Sequence, residues 1–395
     1  MRIRKKLWNN DAEPIMVIMV VLLVLGTINV FSSSFVLATT DFENPYHFLR
    51  RHVMVMFLGL ALFTLFRKIN YRRWRLLRGP MMLSVIIVTF LSLAAVLAVG
   101  TEVNGARRWL FGAQPAELAK LVGLMIAASA LSARIKKGRA KSLYNVFNGH
   151  YAIIAVMFVL IELEPDMGTA AIVLGVPLFM AVVAGMSLKY VWGLVGAVVT
   201  LVMVMVTMQP YRLARIKVWF DPWGDAQGMG YQMVQSLSTI GSGGFWGMGL
   251  GEGVSKYEYL PEAHTDFAFA IFCQEHGYMG AVMVFLLLGM LVLFCVRVAN
   301  RAEDEYGQML ATGIMILIAG QAVANIMMVG GLLPVVGVPL PFISYGGSSL
   351  LVSMIAMGIL LNICDKGLVD EDKRKLAQET SPAHGEPKPH LRRIK

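Results

Sequence analysis

Charge and cysteine are scarce in this sequence. Only 15% of its 395 residues are Asp, Glu, Lys or Arg, whereas about 25% is usual for a soluble globular domain. The three cysteines, Cys273, Cys295 and Cys364, fall in or beside apolar stretches, and no pair has the spacing of metal ligands. The composition therefore argues against a soluble domain, and the cysteines indicate neither a disulfide framework nor a zinc site.

Long apolar runs take the place of the missing charge, and hydrophobic residues make up 57% of the chain. Because a helix needs roughly 20 apolar residues to cross a bilayer, the runs predict an all-α polytopic membrane protein with about ten transmembrane helices. The predicted spans are Pro14–Leu37, Val53–Phe66, Met81–Val99, Ala116–Leu131, Tyr151–Leu163, Ala170–Gly185, Tyr190–Met208, Phe267–Val296, Leu310–Leu333 and Gly346–Ile363.

The spans divide the chain into three parts. Residues 1–13 are predicted to be a cytoplasmic N-terminus, and residues 14–364 a transmembrane domain whose residues 209–265 form a large external loop between the seventh and eighth helices. The first apolar run exceeds the roughly 7–15 residues of a cleavable signal peptide, so we expect an uncleaved anchor. Residues 365–395 are predicted to be a cytoplasmic tail, disordered from Val369 onward because that stretch is charged and lacks apolar periodicity.

The basic residues predict which side of the membrane each loop occupies. Lysine and arginine accumulate in cytoplasmic loops, and with the N-terminus inside, 26 of the 35 fall on the cytoplasmic side. An even number of spans then places both termini in the cytoplasm. The net charge of +10 is explained by this bias and by contact with anionic lipid headgroups, so nucleic-acid binding is not indicated.

Polar residues on the external side collect in four segments. These segments are residues 100–115, 164–166, 209–265 and 333–345. Ionisable residues at membrane depth are costly and mark functional sites by default. The pattern predicts that a site is assembled on the external face of the membrane.

The first of these segments, with the helix that follows it, contains Arg107, Arg108, Trp109, Glu117 and Lys120. The two arginines run against the charge bias, so they are expected either to bind a phosphate-bearing ligand or to contact lipid headgroups. Trp109 is a candidate interfacial anchor. Glu117 and Lys120 are three residues apart on a predicted helix and therefore share one face, where they form an ion pair or line the site.

The external loop 209–265 is predicted to contain two helices and a glycine-rich run. Arg212, Arg215 and Lys217 lie among apolar residues in a pattern typical of a basic amphipathic helix on a membrane surface, and Tyr231–Thr239 predicts a second helix. Glycine at the density of Gly241–Gly253 lets backbone N–H groups approach a ligand closely. That run does not match the dinucleotide fingerprint G-x-G-x-x-G, so a nucleotide site is not expected there.

The join between this loop and the eighth span carries Glu262, His264 and Asp266. A carboxylate at the mouth of a membrane helix is a candidate for catalysis, and burial is expected to raise the pKa of Asp266. His264 is either a second base or a hydrogen-bonded structural residue, and Glu262 is either a substrate contact or a helix-start charge. The other external candidates for substrate binding are Lys256 and Ser344, the latter in a proline-rich loop that must be irregular backbone.

Six blocks, in order along most of the chain, resemble the SEDS family of peptidoglycan polymerases, the group of FtsW, RodA and SpoVE. The blocks are G-A-R-R-W…Q-P-A-E-L-A-K, E-P-D-M-G-T, G-Y-Q-M-V-Q-S, I-G-S-G-G-F-W-G-M-G-L-G, Y-L-P-E-A-H-T-D-F and L-P-F-I-S-Y-G-G-S-S-L. The glycine-rich and Tyr-Leu-Pro-Glu blocks are nearer the FtsW/SpoVE branch. The resemblance implies polymerisation of lipid II on the outer face of the bacterial cytoplasmic membrane, in division or in elongation. It also implies that Asp266 is catalytic, that Trp109 is functionally sensitive, and that Glu117 and Lys120 lie in a polar cavity.

The resemblance also implies partners. The family works with a class B penicillin-binding protein, a transpeptidase anchored by one membrane helix, and with other membrane proteins of the divisome or elongasome. Gly280, Ala281 and Gly289 on the eighth span are small residues that could pack such a helix or pack within the bundle. The chain departs from the family's pattern at Ala116, where Ser is usual, and at Gln274, which replaces a carboxylate.

In the implied reaction, Asp266 takes the proton of the acceptor hydroxyl, and external cations stabilise the pyrophosphate leaving group. A divalent cation, Mg²⁺ or Mn²⁺, could assist, although no clear ligand set is visible in the sequence. Two other functions stay open. A lipid II flippase would carry its charges along a path through the middle of the bilayer, and a structural scaffold would leave Asp266 without a role.

Overall fold

The computed structural model describes residues 10–76, 80–103, 106–139, 141–142, 146–207, 210–256 and 260–380. At 103, 205, 210–212 and 368–380 it describes the backbone alone. Over this part of the chain the secondary structure consists of α-helices, short 3₁₀ turns and one small hairpin. The helices are α1 (Ala12–Phe42), α2 (His47–Lys68), α3 (Pro80–Val99), α4 (Pro115–Lys136), α5 (Gly149–Leu163), α6 (Met167–Val183), α7 (Leu188–Thr207), α8 (Pro210–Phe220), α9 (Tyr231–Ser242), α10 (Ala268–Asn300), α11 (Glu305–Val329) and α12 (Gly347–Thr380). The antiparallel strands are β1 (Thr101–Val103) and β2 (Ala106–Trp109).

Helix lengths agree with the prediction of a polytopic membrane protein. Seven helices in the described residues are long and apolar enough to cross a membrane: α1, α2, α3, α4, α10, α11 and the first part of α12. Three shorter apolar segments, α5, α6 and Leu188–Val204 of α7, coincide with the remaining predicted spans. The second span, predicted as Val53–Phe66, is longer than expected, because α2 starts at His47 and continues to Lys68.

Helix α4 lies at the centre of the bundle, where it packs against α3, α5, α6, α11 and α12. Nearly all of its residues are buried, and its small residues allow neighbouring helices to approach closely. Helix α12 fills a second buried position against α2. By contrast, most side chains of α7 are exposed and its closest packing is with α8, so the external loop begins from the edge of the bundle.

The external loop is folded much as its sequence predicts. The basic segment forms α8, and the predicted helix Tyr231–Thr239 is confirmed as α9, which ends at Ser242. The tail differs from expectation, because the backbone of α12 is helical as far as Thr380, beyond Val369, where disorder was predicted to begin. That stretch contains no Gly or Pro and is rich in good helix formers. Residues 381–395 lie outside the described residues.

The glycine-rich run of the external loop is hydrogen-bonded to a break in α10. Gly277 has φ 66° and ψ −165° inside this helix, so the helical ladder is interrupted there. The run supplies replacements: the N–H of Met248 donates to the carbonyl of Gln274 (3.0 Å), and the N–H of Tyr278 donates to the carbonyl of Gly244 (3.0 Å). Backbone groups freed at membrane depth must be satisfied within the protein, and this loop satisfies them.

Close backbone packing explains why glycine is needed here. A Cβ at Gly247 would lie 2.2 Å from the carbonyl oxygen of Glu275, too close for any other residue. The side chain of Gln274 adds to the contact by donating to the hydroxyls of Ser242 (2.7 Å) and Ser255 (2.9 Å). The run was expected to present N–H groups to a ligand, whereas the structure directs two of them, those of Met248 and Gly249, to carbonyls of α10.

The orientation of the chain stays a prediction, and thiol labelling tests it. The three native cysteines are buried, and Gly224 is exposed in the loop between α8 and α9. We expect a membrane-impermeant maleimide, added to intact cells, to label Gly224→Cys but not the wild-type chain. A matched cysteine at Lys137, in the exposed turn after α4, should react only after permeabilisation. The reverse pattern would overturn the assigned orientation.

Candidate active site

Asp266 lies in the turn immediately before α10, held from behind by α11. The side-chain amide of Asn325 donates to the main-chain oxygens of Asp266 (2.7 Å) and Val338 (2.7 Å). The carboxylate is partly exposed, and no hydrogen-bond donor to it is found among the described residues. Gly337 borders it so closely that a Cβ there would be 3.4 Å from Oδ2. Asn325 therefore fixes the backbone while the carboxylate oxygens stay available.

The electrostatic surroundings favour a neutral Asp266 more than water does. Burial, together with the charges of Glu262 and Asp166, raises the pKa of Asp266 to about 7, against the opposing effect of Arg108 and Arg215. A carboxyl with a pKa near the working pH is well suited to general base catalysis, since it is deprotonated in part and still basic. The expectation of a raised pKa agrees with this geometry.

Arg108 joins the β-hairpin to the turn between α5 and α6. Its guanidinium donates to the main-chain oxygens of Glu164 (3.4 Å) and Pro165. Asp166, the N-cap of α6, accepts from the N–H of Thr169 (3.2 Å) and from the side-chain amide of Gln114 (2.8 Å). The hairpin, the start of α4 and the start of α6 therefore meet at one point beside Asp266.

Glu164 is fully buried in this turn, and neither of its carboxylate oxygens has a hydrogen-bond partner among the described residues. Burial and the neighbouring charge of Asp166 raise the pKa of Glu164 to about 8, while Arg108 acts in the opposite direction. Glu164 is therefore uncharged through most of the physiological pH range.

Helix α8 contacts the proline-rich loop between α11 and α12. Arg215 donates to the carbonyl of Val335 (2.8 Å), and the indole N–H of Trp219 donates to the carbonyl of Gly331 (3.1 Å). Lys217, by contrast, is exposed, and the side chain of Arg212 lies outside the described residues. Of the three cations predicted on this helix, the structure thus brings Arg215 toward Asp266.

Glu117 and Lys120 form the predicted ion pair, at 2.8 Å, and both are buried. Lys120 also donates to the side-chain oxygen of Gln321 (2.9 Å). Gln321 donates in turn to the hydroxyl of Ser349 (3.1 Å) and to the carbonyl of Pro339 (3.0 Å). The pair is therefore connected through α11 to the same proline-rich loop that borders Asp266.

Lys256 and Ser344 have contacts elsewhere. The ammonium of Lys256 pairs with Glu275 (3.3 Å) and donates to the hydroxyl of Ser32 (3.2 Å), which ties the external loop to α10 and α1. The hydroxyl of Ser344 accepts from the N–H of Leu340 (3.0 Å) within the proline-rich loop. These contacts stabilise the fold, and a role in substrate binding stays a prediction for both residues.

His264 is enclosed by aromatic rings. Its ring centroid lies 4.7 Å from that of Phe48 and 5.5 Å from that of Tyr345. Burial lowers the pKa of His264, against the charge of Glu262, so the neutral imidazole is favoured. Both interpretations of His264, a second base and a structural residue, stay predictions. Glu262 is exposed and accepts from the hydroxyl of Thr265 (2.7 Å), and its charge acts on Asp266 at longer range.

Two residues of the β-hairpin lie nearer to solvent. Arg107 forms an exposed ion pair with Glu102 (3.5 Å). Trp109 is partly exposed, and its main-chain oxygen accepts from the hydroxyl of Thr101 (3.2 Å). Substrate binding stays a prediction for both residues.

Sequence reasoning missed Asn325, Gln321 and Gln114 as parts of the site. Gln321 and Asn325 are four residues apart on α11, so they share one face of an otherwise apolar span. Polar side chains at this spacing within a membrane helix were the available signal. Gln114 precedes a helix start in the block that carries Glu117, and its contact with Asp166 joins segments that are distant in the chain.

The described residues around Asp266 do not form a metal centre of the usual kind. Within the described part of the chain, no group of three or more His, Cys, Asp or Glu side chains is arranged to hold a metal ion. The carboxylates around Asp266 are spread along a turn, an N-cap and a loop, so no mechanistic step is assigned to a cation.

The family model and the relatives that this chain resembles belong to one family. The family model "Cell cycle protein", for FtsW, RodA and SpoVE, matches residues 13–367. The chain is 37% identical over 353 residues to a probable peptidoglycan glycosyltransferase FtsW of Geobacter metallireducens, covering 88% of this chain and 93% of that protein. It is also 37% identical over 355 residues to stage V sporulation protein E of Bacillus subtilis, covering 88% and 95%.

Two solved structures share the fold. A chain from a peptidoglycan synthase complex, described for its coordination of polymerization and crosslinking, aligns with a TM-score of 0.71 at 27% identity, covering 89% of this chain and 97% of that chain. The rod shape determining protein RodA of Thermus thermophilus aligns with a TM-score of 0.62 at 26% identity, covering 89% and 96%. The similarities therefore extend over almost the whole transmembrane domain.

The buried pair of Glu117 and Lys120 yields a stability prediction. Lys120→Met removes the cation and leaves a buried carboxylate unpaired, so we expect a loss of about 3–5 kcal/mol in the free energy of unfolding. Adding Glu117→Gln in the same chain should restore most of it, because no isolated charge remains. Equilibrium unfolding in detergent measures the free energy of unfolding of the single and the double variant.

The exposed pair of Arg107 and Glu102 provides the control, since Arg107→Met should change stability by less than about 1 kcal/mol. A Lys120→Met variant as stable as the wild type would contradict a charged, buried pair.

Proposed function

The chain belongs to the FtsW/RodA/SpoVE family of cell cycle proteins, and we propose that it is a peptidoglycan glycosyltransferase that polymerises lipid II on the outer face of the cytoplasmic membrane. The observation that carries this proposal is Asp266, a partly exposed carboxylate with a pKa of about 7 and two arginines close enough to lower it. The relatives named as probable peptidoglycan glycosyltransferases support it.

The reaction needs a base for the acceptor sugar. Asp266 accepts the proton of the acceptor hydroxyl as that oxygen attacks the anomeric carbon of the donor, and the configuration at this carbon is inverted. The bond from the anomeric carbon to the pyrophosphate oxygen breaks, and the polyprenyl pyrophosphate leaves. A correctly placed base contributes typically about 10²–10⁴-fold to such a step.

Negative charge grows on the pyrophosphate as it leaves, and fixed cations stabilise that charge. Arg108 and Arg215 are the cations whose charges act on Asp266. Main-chain oxygens of Glu164 and Pro165 hold the guanidinium of Arg108, and the carbonyl of Val335 accepts from that of Arg215. The arginines are thereby placed before the substrate arrives, which lowers the cost of reorganisation.

The protein is a multi-pass membrane protein, and we propose a class B penicillin-binding protein as its partner. A cleft of about 280 Å³ runs between α10 and α11, lined by Leu288, Gly289, Val292, Met315, Ala319 and Val323. A Cβ at Gly289 would meet no atom within 4 Å, so this surface is open to a partner's single membrane helix. Gly280 is instead packed against His276 within the same helix. The solved synthase complex supports the pairing, and other divisome or elongasome proteins and lipids remain further proposed partners.

Asp266→Asn separates an enzyme from a lipid II flippase. The substitution keeps the size of the side chain and removes the base, so polymerisation by the purified protein should fall by at least about 10²-fold while lipid II stays bound. In the wild type, the rate should rise as pH increases through about 7, because Asp266 must lose its proton to act. A gel assay of glycan products across pH measures both.

Two carboxylates provide controls for this assay. Glu252 is exposed in the external loop, and Glu252→Gln should keep the wild-type pH profile. Glu262→Gln removes a charge that raises the pKa of Asp266, so its profile should shift toward lower pH. Full polymerisation by Asp266→Asn, or lipid II transport without any polymer from the wild type, would defeat the proposal.

Arg215 and Lys217 form a matched pair on α8. Arg215→Ala should raise the KM for lipid II by about tenfold, the size of one charge-assisted hydrogen bond. Lys217→Ala should change it by less than about twofold, since Lys217 is exposed and a solvated charge contributes little. Equal effects of the two substitutions would show that bulk surface charge, and not placement, matters.

The partner surface is tested by filling the cleft. Gly289→Trp should abolish co-purification of the cognate class B penicillin-binding protein, because the indole occupies the space that its helix needs. Val88→Trp, at an exposed position of α3, is the control and should co-purify normally. Normal co-purification of Gly289→Trp would place the partner on another surface.

A further inference from the structure

Glu164 is a buried carboxyl group that the mechanism above does not use. Its residue is fully buried, and both carboxylate oxygens lack a hydrogen-bond partner among the described residues. Buried polar atoms in folded proteins are nearly always hydrogen-bonded, so an exception asks for an explanation. Glu164 lies at the C-terminal end of α5, in the turn that leads to Asp166. Arg108 of β2 donates to the main chain of this turn.

The charged groups that face Glu164 come from two neighbouring elements. Asp166, at the start of α6, is negative, and Arg108, on β2, is positive. Glu162 is on the same helix, two residues earlier, and is partly exposed. Arg108 is thus the one cation acting on the Glu164 carboxyl in the described part of the chain.

The contacts of Arg108 show which form of Glu164 they accommodate. The guanidinium donates to the main-chain oxygens of Glu164 and Pro165 and not to the adjacent carboxyl group. Neutral carbonyl oxygens hold the guanidinium in place without cancelling its charge. A carboxylate at the same point would attract the guanidinium more strongly and neutralise it.

We propose that Glu164 is a positioning residue that acts while uncharged, keeping Arg108 on main-chain oxygens with its charge available to the pyrophosphate of the substrate. On ionisation, Glu164 takes the guanidinium for itself, and the anion loses a partner. This inference rests on the proposed function, in which Arg108 binds the leaving group. Glu164 itself is buried and does not touch the substrate.

The sign of the pH dependence follows. Because the pKa of Glu164 is raised to about 8, the group is protonated at pH 7 and ionised at pH 9. Affinity for a pyrophosphate should therefore decline above about pH 8. This loss of affinity is expected on the alkaline side. The loss of polymerisation rate expected from protonation of Asp266 is on the acid side.

Equilibrium binding of a polyprenyl pyrophosphate to the full chain in nanodiscs tests the proposal without any turnover. For the wild type, we expect the Kd to rise by about tenfold between pH 7 and pH 9, as one charge-assisted hydrogen bond is lost. For Glu164→Gln, which cannot ionise, the Kd should rise about tenfold less over the same range than it does for the wild type. Ionisation of the ligand and of Asp266 is common to both proteins and cancels in the comparison.

Two further variants show that the effect passes through Arg108. Glu162→Gln should keep the alkaline decline of the wild type. In an Arg108→Ala background, binding is weaker at pH 7, and Glu and Gln at position 164 should behave alike at every pH, because contacting residues lose their coupling when one is removed. A wild type without the decline, a Glu164→Gln variant with it, or a Glu164 effect that persists in Arg108→Ala would each overturn the proposal.

If Glu164→Gln does not fold, the Arg108→Ala variant alone decides. An alkaline loss of pyrophosphate affinity in Arg108→Ala as steep as that of the wild type would refute the role of Glu164. The outcome is distinguishable from failure of the proposed function. A chain that makes no polymer but shows this binding pattern refutes the glycosyltransferase and retains the positioning role of Glu164.

Discussion

The side chain of Asn325 makes the pair of hydrogen bonds on which the site depends. Irregular backbone cannot exist at membrane depth unless the protein itself satisfies its polar groups. Asn325 satisfies two such groups at once, the main-chain oxygens of Asp266 and Val338. Gln321, one turn earlier on α11, donates to the main-chain oxygen of Pro339. It also accepts from Lys120, which connects the buried pair of Lys120 and Glu117 to this network. One face of one helix thereby holds the loop that borders the carboxylate of Asp266.

The same constraint governs the other end of the external loop. Gly277 interrupts α10, and the glycine-rich run supplies the hydrogen bonds that the helix loses there. A residue with a Cβ at Gly247 would collide with the backbone of α10. The glycines therefore serve close packing, and Gln274 strengthens the contact through Ser242 and Ser255. The external loop is thereby anchored on the helix that follows Asp266.

Electrostatics then distinguishes the carboxylates that the fold brings together. Asp266 is partly exposed, close to two arginines, and has a pKa of about 7, whereas Glu164 is enclosed and has a pKa of about 8. Asp166 is held by an N-cap hydrogen bond and by Gln114. Different surroundings give similar side chains different roles. The roles proposed above are a base for Asp266 and a neutral group beside Arg108 for Glu164, while Asp166 is a structural cap.

The sequence alone determined the helical membrane fold, the order of the spans and the place of Asp266 before a span, because these depend on local composition. It offered the ion pair of Glu117 and Lys120 as one of two interpretations, from their spacing along one helix. Tertiary structure decided which polar residues meet. Lys256 looked like an external cation but pairs with Glu275 and Ser32, and Ser344 closes its own loop. Asn325 and Gln321, which hold the site, drew no notice in the sequence. Their spacing marks a polar face on α11, but several of their partners are main-chain oxygens. Every residue has such an oxygen, so the side-chain pattern does not show which segment that face contacts.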